Sequence, residues 1–80
     1  MTKSKIFDIE GLSILQSKIL SFCYNEGRTT TDLVVKFNKN RGYIWDHCER
    51  LVGLELLKKI SSPVSGKVRY QTNKNKVLSP

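Results

Sequence analysis

The stretch KFNKNRGYIWDHCERL, residues 36–51, decides how this chain folds. A polar break of three residues separates the end of one apolar pattern from the start of another. Asn40 closes that break, and asparagine is a favoured helix N-cap because its side chain accepts a hydrogen bond from a free backbone N–H. Ile44, Cys48 and Leu51 then recur at intervals of four and three, which places them on one face of a helix. The stretch predicts a helix, a tight turn and a second helix whose outer face is basic and aromatic.

Two helices are predicted upstream of Asn40. The first covers about 9–26, with Asp8 or Ser13 as its cap and Gly27 as its stop; its apolar stripe is Leu12, Leu15, Ile19, Phe22 and Cys23. The second covers about 31–37, with Thr30 as N-cap and Asn38 as a left-handed turn residue; its buried face is Leu33, Val34 and Phe37.

A change of period after the third helix, about 41–54, predicts a β-hairpin over about 57–72. Two β-prone runs, Leu57 to Ser61 and Lys67 to Thr72, flank the turn formers Ser62, Pro63, Ser65 and Gly66. The remainder, 73–80, is polar and is predicted to be a flexible tail. Residues 1–80 therefore form one α+β domain, a winged helix-turn-helix with three helices followed by a two-stranded wing.

Composition favours a nucleic-acid partner. Fourteen Lys and Arg against seven Asp and Glu give a net charge of +7, and 39% of the residues are hydrophobic. A strong positive excess is typical of chains that bind nucleic acid or another anionic surface. No apolar run approaches the roughly 20 residues of a membrane span, and no signal peptide is evident, so we expect an intracellular protein, in the cytoplasm of its own or a host cell.

The segment from Arg28 to Thr72 resembles the DNA-binding core of prokaryotic winged-helix repressors, including the arsenical-resistance and multiple-antibiotic-resistance repressor families. The chain as a whole is similar to small regulators of archaea and their viruses or plasmids. The interval of eleven from Leu33 to Ile44 and the wing sequence GKVRYQT carry the resemblance, and further residues fall on core positions of those families: Phe37, Cys48, Leu51, Leu54 and Leu56. The chain departs from the pattern at Glu55, where glycine is usual, and at Lys39, where an apolar residue is common.

The resemblance implies a sequence-specific transcription regulator that binds double-stranded DNA with its third helix in the major groove and its wing on the adjacent minor groove or backbone. Arg41 is the first candidate for a guanine, because its planar fork can pair with O6 and N7 together. The full set of DNA-binding candidates is Thr29, Thr30, Lys36, Lys39, Asn40, Arg41, Gly42, Tyr43, Trp45, Arg50, Lys67 and Arg69. Asp46 and Glu49 are expected to pair within the helix with bases such as Arg50. Trp45 and Tyr43 have packing against the domain or a second subunit as an equal alternative.

The remaining sequence features concern dimerisation, metal binding and catalysis. A homodimer is expected, with a monomer as the alternative, and spare apolar surface is offered by Ile6, Phe7, Ile9 and Leu20. Cys23, His47 and Cys48 are zinc-ligand types, but both cysteines lie on apolar stripes and are predicted core residues, so no metal or cofactor is expected. No catalytic motif is evident, which argues against an enzyme. The rival functions are a protein-interaction module and a sequence-neutral architectural or RNA-binding protein.

Overall fold

Three consecutive helices lie between short strands in the computed structural model, which describes residues 4–5, 11–61 and 67–78. The elements are β1 (Ser4–Lys5), α1 (Ile14–Phe22), α2 (Thr30–Phe37), α3 (Arg41–Gly53), β2 (Leu57–Ser61), β3 (Val68–Thr72) and β4 (Val77–Leu78). Strands β2 and β3 are antiparallel, with Leu57 opposite Thr72 and Ser61 opposite Val68, and β1 pairs in parallel with β4. Three helices followed by an antiparallel hairpin confirm the predicted architecture.

Side-chain caps fix where the helices begin. At α1 the Ser13 hydroxyl accepts from the Gln16 amide, and the Gln16 side chain accepts from the Ser13 amide. Thr29 and Asp32 make the same reciprocal pair at α2. Each pair satisfies two backbone donors that the helix leaves free. The prediction of Thr30 as cap is wrong by one residue, because only Thr29 has an acidic partner three positions later.

The first helix is shorter than the predicted 9–26. Cys23 is the C-cap of α1, and the chain then turns so that Arg28 and Tyr70 exchange two backbone hydrogen bonds of 2.8 and 2.7 Å. This bridge draws the segment after α1 alongside β3, so the helix cannot continue to Gly27. Gly27 lies close to β3 in this bridge, since a β-carbon on it would stand 3.3 Å from Cβ of Arg69.

One apolar core joins the helices to the hairpin. The buried hydrophobic residues are Ile19, Leu20, Cys23, Leu33, Ile44, Cys48, Leu51, Leu57, Tyr70 and Val77. The predicted inward triplet of α3 is confirmed, since all three side chains are fully buried. Leu20 was expected to offer spare surface for a dimer; it belongs to this core. Ile6, Phe7 and Ile9 lie outside the described residues. Leu54, predicted to be a core residue, is 55% exposed because α3 has ended and the chain has turned away.

The predicted flexible tail is structured over part of its length. Val77 is fully buried and belongs to β4, which pairs with β1. Asn73 anchors the turn between β3 and β4. Its amide donates to the Leu56 carbonyl, and its side chain donates to the Glu55 carbonyl. Polar composition at 73–76 therefore marks a turn that leads into a short strand.

The corner after α3 has a left-handed residue that is not glycine. Glu55 has φ 64°, a conformation that glycine adopts without a steric penalty and other residues adopt at a cost. Glycine is usual at this position in the families that the chain resembles, and with Glu55 there the backbone still takes the form that glycine favours. Asn38, which is also left-handed, has φ 54° and ends α2 as predicted.

No helix in the described part of the chain is both long enough and apolar enough to cross a bilayer.

Candidate nucleic-acid interface

Helix α3 has one face in the core and one in solvent. Ile44, Cys48 and Leu51 are buried, whereas Tyr43 and Trp45 are each 50% exposed. Arg41, Gly42, Asp46 and Arg50 are also exposed. The helix thus presents a mixed surface of hydrogen-bond donors and aromatic rings about 14 Å long between its first and tenth residues. Neither Arg41 nor Tyr43 is drawn into the core.

The start of α3 is held by local hydrogen bonds. The Asn40 side chain accepts from the Gly42 amide at 2.8 Å, which confirms Asn40 as the N-cap. Its carboxamide oxygen lies 3.2 Å from where a β-carbon on Gly42 would stand, so a larger residue there would press on the cap. The carboxamide oxygen of Asn40 is therefore engaged in capping α3.

Arg41 is oriented by a contact that sequence reasoning missed. Its guanidinium donates to the hydroxyl of Thr31 at 3.0 Å, across the turn between α2 and α3. Thr31 is exposed and lies next to the two threonines that were predicted. The two residues lie on different helices and are ten positions apart, so no periodic pattern in the sequence predicts their contact. It depends on the geometry of the turn between α2 and α3. The contact fixes one edge of the guanidinium and leaves its other donors to solvent.

Four predicted residues meet in one surface depression. It has a volume of about 290 Å³ and lies where the start of α2, the start of α3 and the start of β3 come together; its lining is Thr29, Thr30, Thr31, Arg41, Lys67 and Val68. Hydroxyl groups and two cations around a shallow concavity suit an anionic ligand such as a phosphate. The wing turn with Ser65 and Gly66 lies outside the described residues.

Glu49 stabilises the junction of α3 with the hairpin. Lys59 lies 2.8 Å from its carboxylate, and the Tyr70 hydroxyl donates to it at 2.9 Å. The hydrogen bond from Lys59, followed by that from Tyr70, lowers the pKa of Glu49. Burial, and then this carboxylate, raise the pKa of Tyr70. The expected pairing of Glu49 within its own helix is wrong, because the strand places a lysine closer. Asp46 is exposed and makes no ion pair with any described residue.

Four predicted cations do not line the depression at Arg41. Lys36 has its ammonium 5.4 Å from the centre of the Phe22 ring. Five residues separate it from Thr31, so the two side chains point about 140° apart around α2. The Arg69 guanidinium donates to the Gly27 carbonyl at 3.2 Å, which ties β3 to the loop before α2. Lys39 is exposed in the turn, and Arg50 is exposed in the last turn of α3. Of the six predicted cations, Arg41 and Lys67 line the depression, and DNA contact by the other four stays a prediction.

The two thiols belong to the core. Cys23 and Cys48 are free and fully buried, and burial raises the pKa of each to about 12. A protonated buried thiol is a poor nucleophile and a poor metal ligand. His47 is half-buried, with its ring 4.5 Å from that of Tyr43. Within the described ranges, no group of three or more His, Cys, Asp or Glu could hold a metal ion.

Comparison with known proteins supports the architecture. No protein-family model matches the sequence, and no curated protein is significantly similar to it. Among solved structures, a variant of ZitR from Lactococcus lactis superposes with a TM-score of 0.80 over 96% of this chain at 17% identity. The adhesin competence repressor AdcR of Streptococcus pyogenes gives 0.76 over 81% at 20% identity. The chain has the winged-helix fold.

The superposition covers only part of each neighbour. This chain corresponds to 52% of the ZitR variant and to 48% of AdcR, so it spans about half the length of the solved structures that it matches. A second ZitR variant gives a TM-score of 0.78 over 88% of this chain, at 18% identity. Identities this low establish the common backbone of a winged helix and leave the roles of individual side chains to the geometry of this chain.

Proposed function

We propose that this chain is a sequence-specific DNA-binding transcription regulator that places α3 in the major groove of a duplex and its hairpin against the adjacent minor groove or backbone. The major groove admits one α-helix, and base edges there are read mainly by residues near the helix start. The observation that carries the proposal is the position of Arg41. It stands exposed in the first turn of α3, with its guanidinium already oriented by Thr31.

Backbone contacts are assigned to the depression beside Arg41. Its threonine hydroxyls, Lys67 and the start of α2 would meet a phosphate, which fixes the register of the helix in the groove. The description of AdcR as a repressor is consistent with this use of the fold. Tyr43 and Trp45 would lie along the groove wall, where ring edges can contact thymine methyl groups.

Selection of bound sites from a random duplex pool tests the proposal. We expect enrichment of a short motif containing at least one guanine, and a palindromic motif would indicate that a homodimer binds. The apparent molar mass of the free chain, measured by sedimentation, should then agree with the symmetry of the motif. If no motif is enriched while binding persists, the chain is a sequence-neutral nucleic-acid-binding protein.

Salt dependence distinguishes DNA binding from a protein-interaction role. Each phosphate neutralised by a cation contributes a slope of about −0.9 to a plot of log affinity against log salt. We expect a steep negative slope on duplex DNA between low and physiological ionic strength. A chain that serves as a protein scaffold would show no measurable affinity for the duplex at either salt concentration.

A further inference from the structure

A second basic recess lies between α1 and α2, away from the proposed DNA-binding face. It has a volume of about 640 Å³, and its lining is Lys18, Ser21, Phe22, Asn25, Arg28, Lys36 and Phe37. Recesses of roughly 300–1,000 Å³ are the size that small-molecule ligands occupy. Among the described residues, none of those lining it is acidic. Three cations around one opening, with no acidic side chain in the lining, favour an anionic ligand.

The Phe22 ring holds two of these cations in place. The Arg28 guanidinium lies 4.2 Å from the centre of the Phe22 ring, and the Lys36 ammonium lies 5.4 Å from it. Phe37 meets the Phe22 ring edge-on at 5.9 Å. The Arg28 Nε also donates to the Phe22 carbonyl. The cations are therefore positioned before any ligand arrives, so binding would require less ordering of flexible side chains.

The charge on Arg28 is only weakly compensated. Its nearest ion-pair partner is Glu26, at 3.8 Å, and the Glu26 side chain is 67% exposed. Solvent-exposed pairs of this kind contribute little, so an incoming anion can compete with Glu26. Asp32 is also near Arg28, but its carboxylate accepts from the Thr29 amide at 3.0 Å in the helix cap. Neither acidic group blocks the recess.

We propose that this recess binds a free mononucleotide. A phosphate monoester carries close to two negative charges at neutral pH and offers several acceptor oxygens to Arg28, Lys36 and Lys18. The volume far exceeds a phosphate alone, and Phe22 and Phe37 in the lining give a base apolar atoms to contact. Ser21 and Asn25 supply hydrogen-bonding groups for its polar edge. This inference does not rest on the DNA-binding proposal.

The recess faces away from the proposed DNA-binding side of α2, so its ligand is expected to be a free nucleotide and not part of a bound duplex. Thr31 contacts Arg41 on the proposed DNA-binding side of α2, and Lys36 projects about 140° from it around the helix. A duplex that fills the depression at Arg41 would leave the recess open to solvent.

Titration of the full chain with adenosine monophosphate, followed by calorimetry and by amide chemical shifts, tests the proposal. We expect saturable binding with shifts confined to 18–37, and binding at least about tenfold weaker for adenosine and for inorganic phosphate, each of which lacks half of the contacts. The double variant Lys18→Ala/Lys36→Ala should weaken binding about tenfold or more. Lys58→Ala, an exposed lysine outside the recess, should change it less than about twofold.

Three results would overturn the proposal. If adenosine binds as tightly as adenosine monophosphate, the cations do not contribute to binding. If inorganic phosphate binds as tightly as adenosine monophosphate, the rings do not contribute. A duplex that displaces the nucleotide and is itself weakened by Lys18→Ala/Lys36→Ala would assign the recess to DNA. Both lysines are exposed, so the double variant should keep the fold, and its thermal unfolding serves as the check.

Discussion

The two faces of α3, a helix of thirteen residues, differ in burial and in the contacts that fix their side chains. The inner face is apolar and buried, and its side chains are fixed by neighbours from the other helices and the hairpin. The outer face is exposed, and single contacts orient its side chains, such as that of Arg41 with Thr31 on α2 and that of Tyr43 with His47. The inner face should thus determine stability, and the outer face should determine what the protein binds. Substitutions on one helix can test that division.

The largest effect is expected on the inner face. Leu51→Ala removes a fully buried side chain and should lower the free energy of unfolding by about 2–5 kcal/mol. The matched change on the outer face, Trp45→Ala, should cost less than about 1 kcal/mol because half of the side chain is already in water. Urea unfolding followed by circular dichroism measures both values. If Leu51→Ala leaves too little folded protein, Ile44→Val gives a milder loss of about 0.5–1.5 kcal/mol. Similar costs for Leu51→Ala and Trp45→Ala would contradict the division.

The next effect is on binding and concerns Arg41. Arg41→Ala should weaken binding to the selected duplex by about 1–3 kcal/mol, which is roughly fivefold to 150-fold, while the urea midpoint stays close to that of the wild type. Lys74→Ala removes the same charge from an exposed position in the turn before β4 and should weaken binding much less. Fluorescence anisotropy with a labelled duplex measures both affinities. A loss for Lys74→Ala as large as that for Arg41→Ala would mean that net charge alone drives binding.

A smaller effect is expected where the two faces meet, at Glu49. Its pKa is lowered in the folded state, so its contribution to stability is fully present above about pH 4.5, the ordinary value, and is lost as the pH falls through the folded pKa. Glu49→Gln should destabilise the protein by about 1 kcal/mol at pH 7 and by progressively less in acid, because the Lys59 contact loses its charge. Asp46→Asn, one turn earlier and without an ion pair in the described structure, should show no such trend. Unfolding curves from pH 3 to 7 would refute this account if both variants responded alike.

The smallest effect is expected just beyond the end of α3. Glu55→Gly should raise stability by up to about 1 kcal/mol, because glycine takes the observed φ of 64° without a steric penalty. The exposed Lys76–Glu55 pair offsets little of this gain. Glu55→Ala removes the same pair and keeps the β-carbon, so it should be no more stable than the wild type. Thermal unfolding of both variants separates the backbone effect from the ion pair, and equal midpoints for the two would argue against strain.

The inner face could be predicted from the sequence and the outer face only in part. The spacing of Ile44, Cys48 and Leu51 has a helical period, and burial follows that period directly. The contacts of Arg41 with Thr31, of Glu49 with Lys59 and of Arg69 with Gly27 join residues 10 to 42 positions apart. No periodic pattern specifies such pairs, because they depend on how the turns orient neighbouring elements.

Errors in the predicted boundaries have the same origin. Composition alone predicts that the first helix continues to residue 26. The backbone bridge between Arg28 and Tyr70, however, requires the helix to end at Phe22. The tail was predicted to be flexible because it is polar, yet a partner strand close to the other end of the sequence gives Val77 a buried position. Tertiary pairing overrode local composition in both cases.

The most direct test of the outer face combines a protein variant with a base analogue. Each guanine of the selected duplex is replaced in turn by 7-deazaguanine, which lacks the N7 acceptor, and the affinities of the wild type and of Arg41→Ala are measured. We predict one guanine at which the analogue weakens the wild type about tenfold or more and has almost no further effect on Arg41→Ala. If every analogue weakens the two proteins equally, Arg41 does not read a guanine, and α3 does not lie in the major groove as proposed.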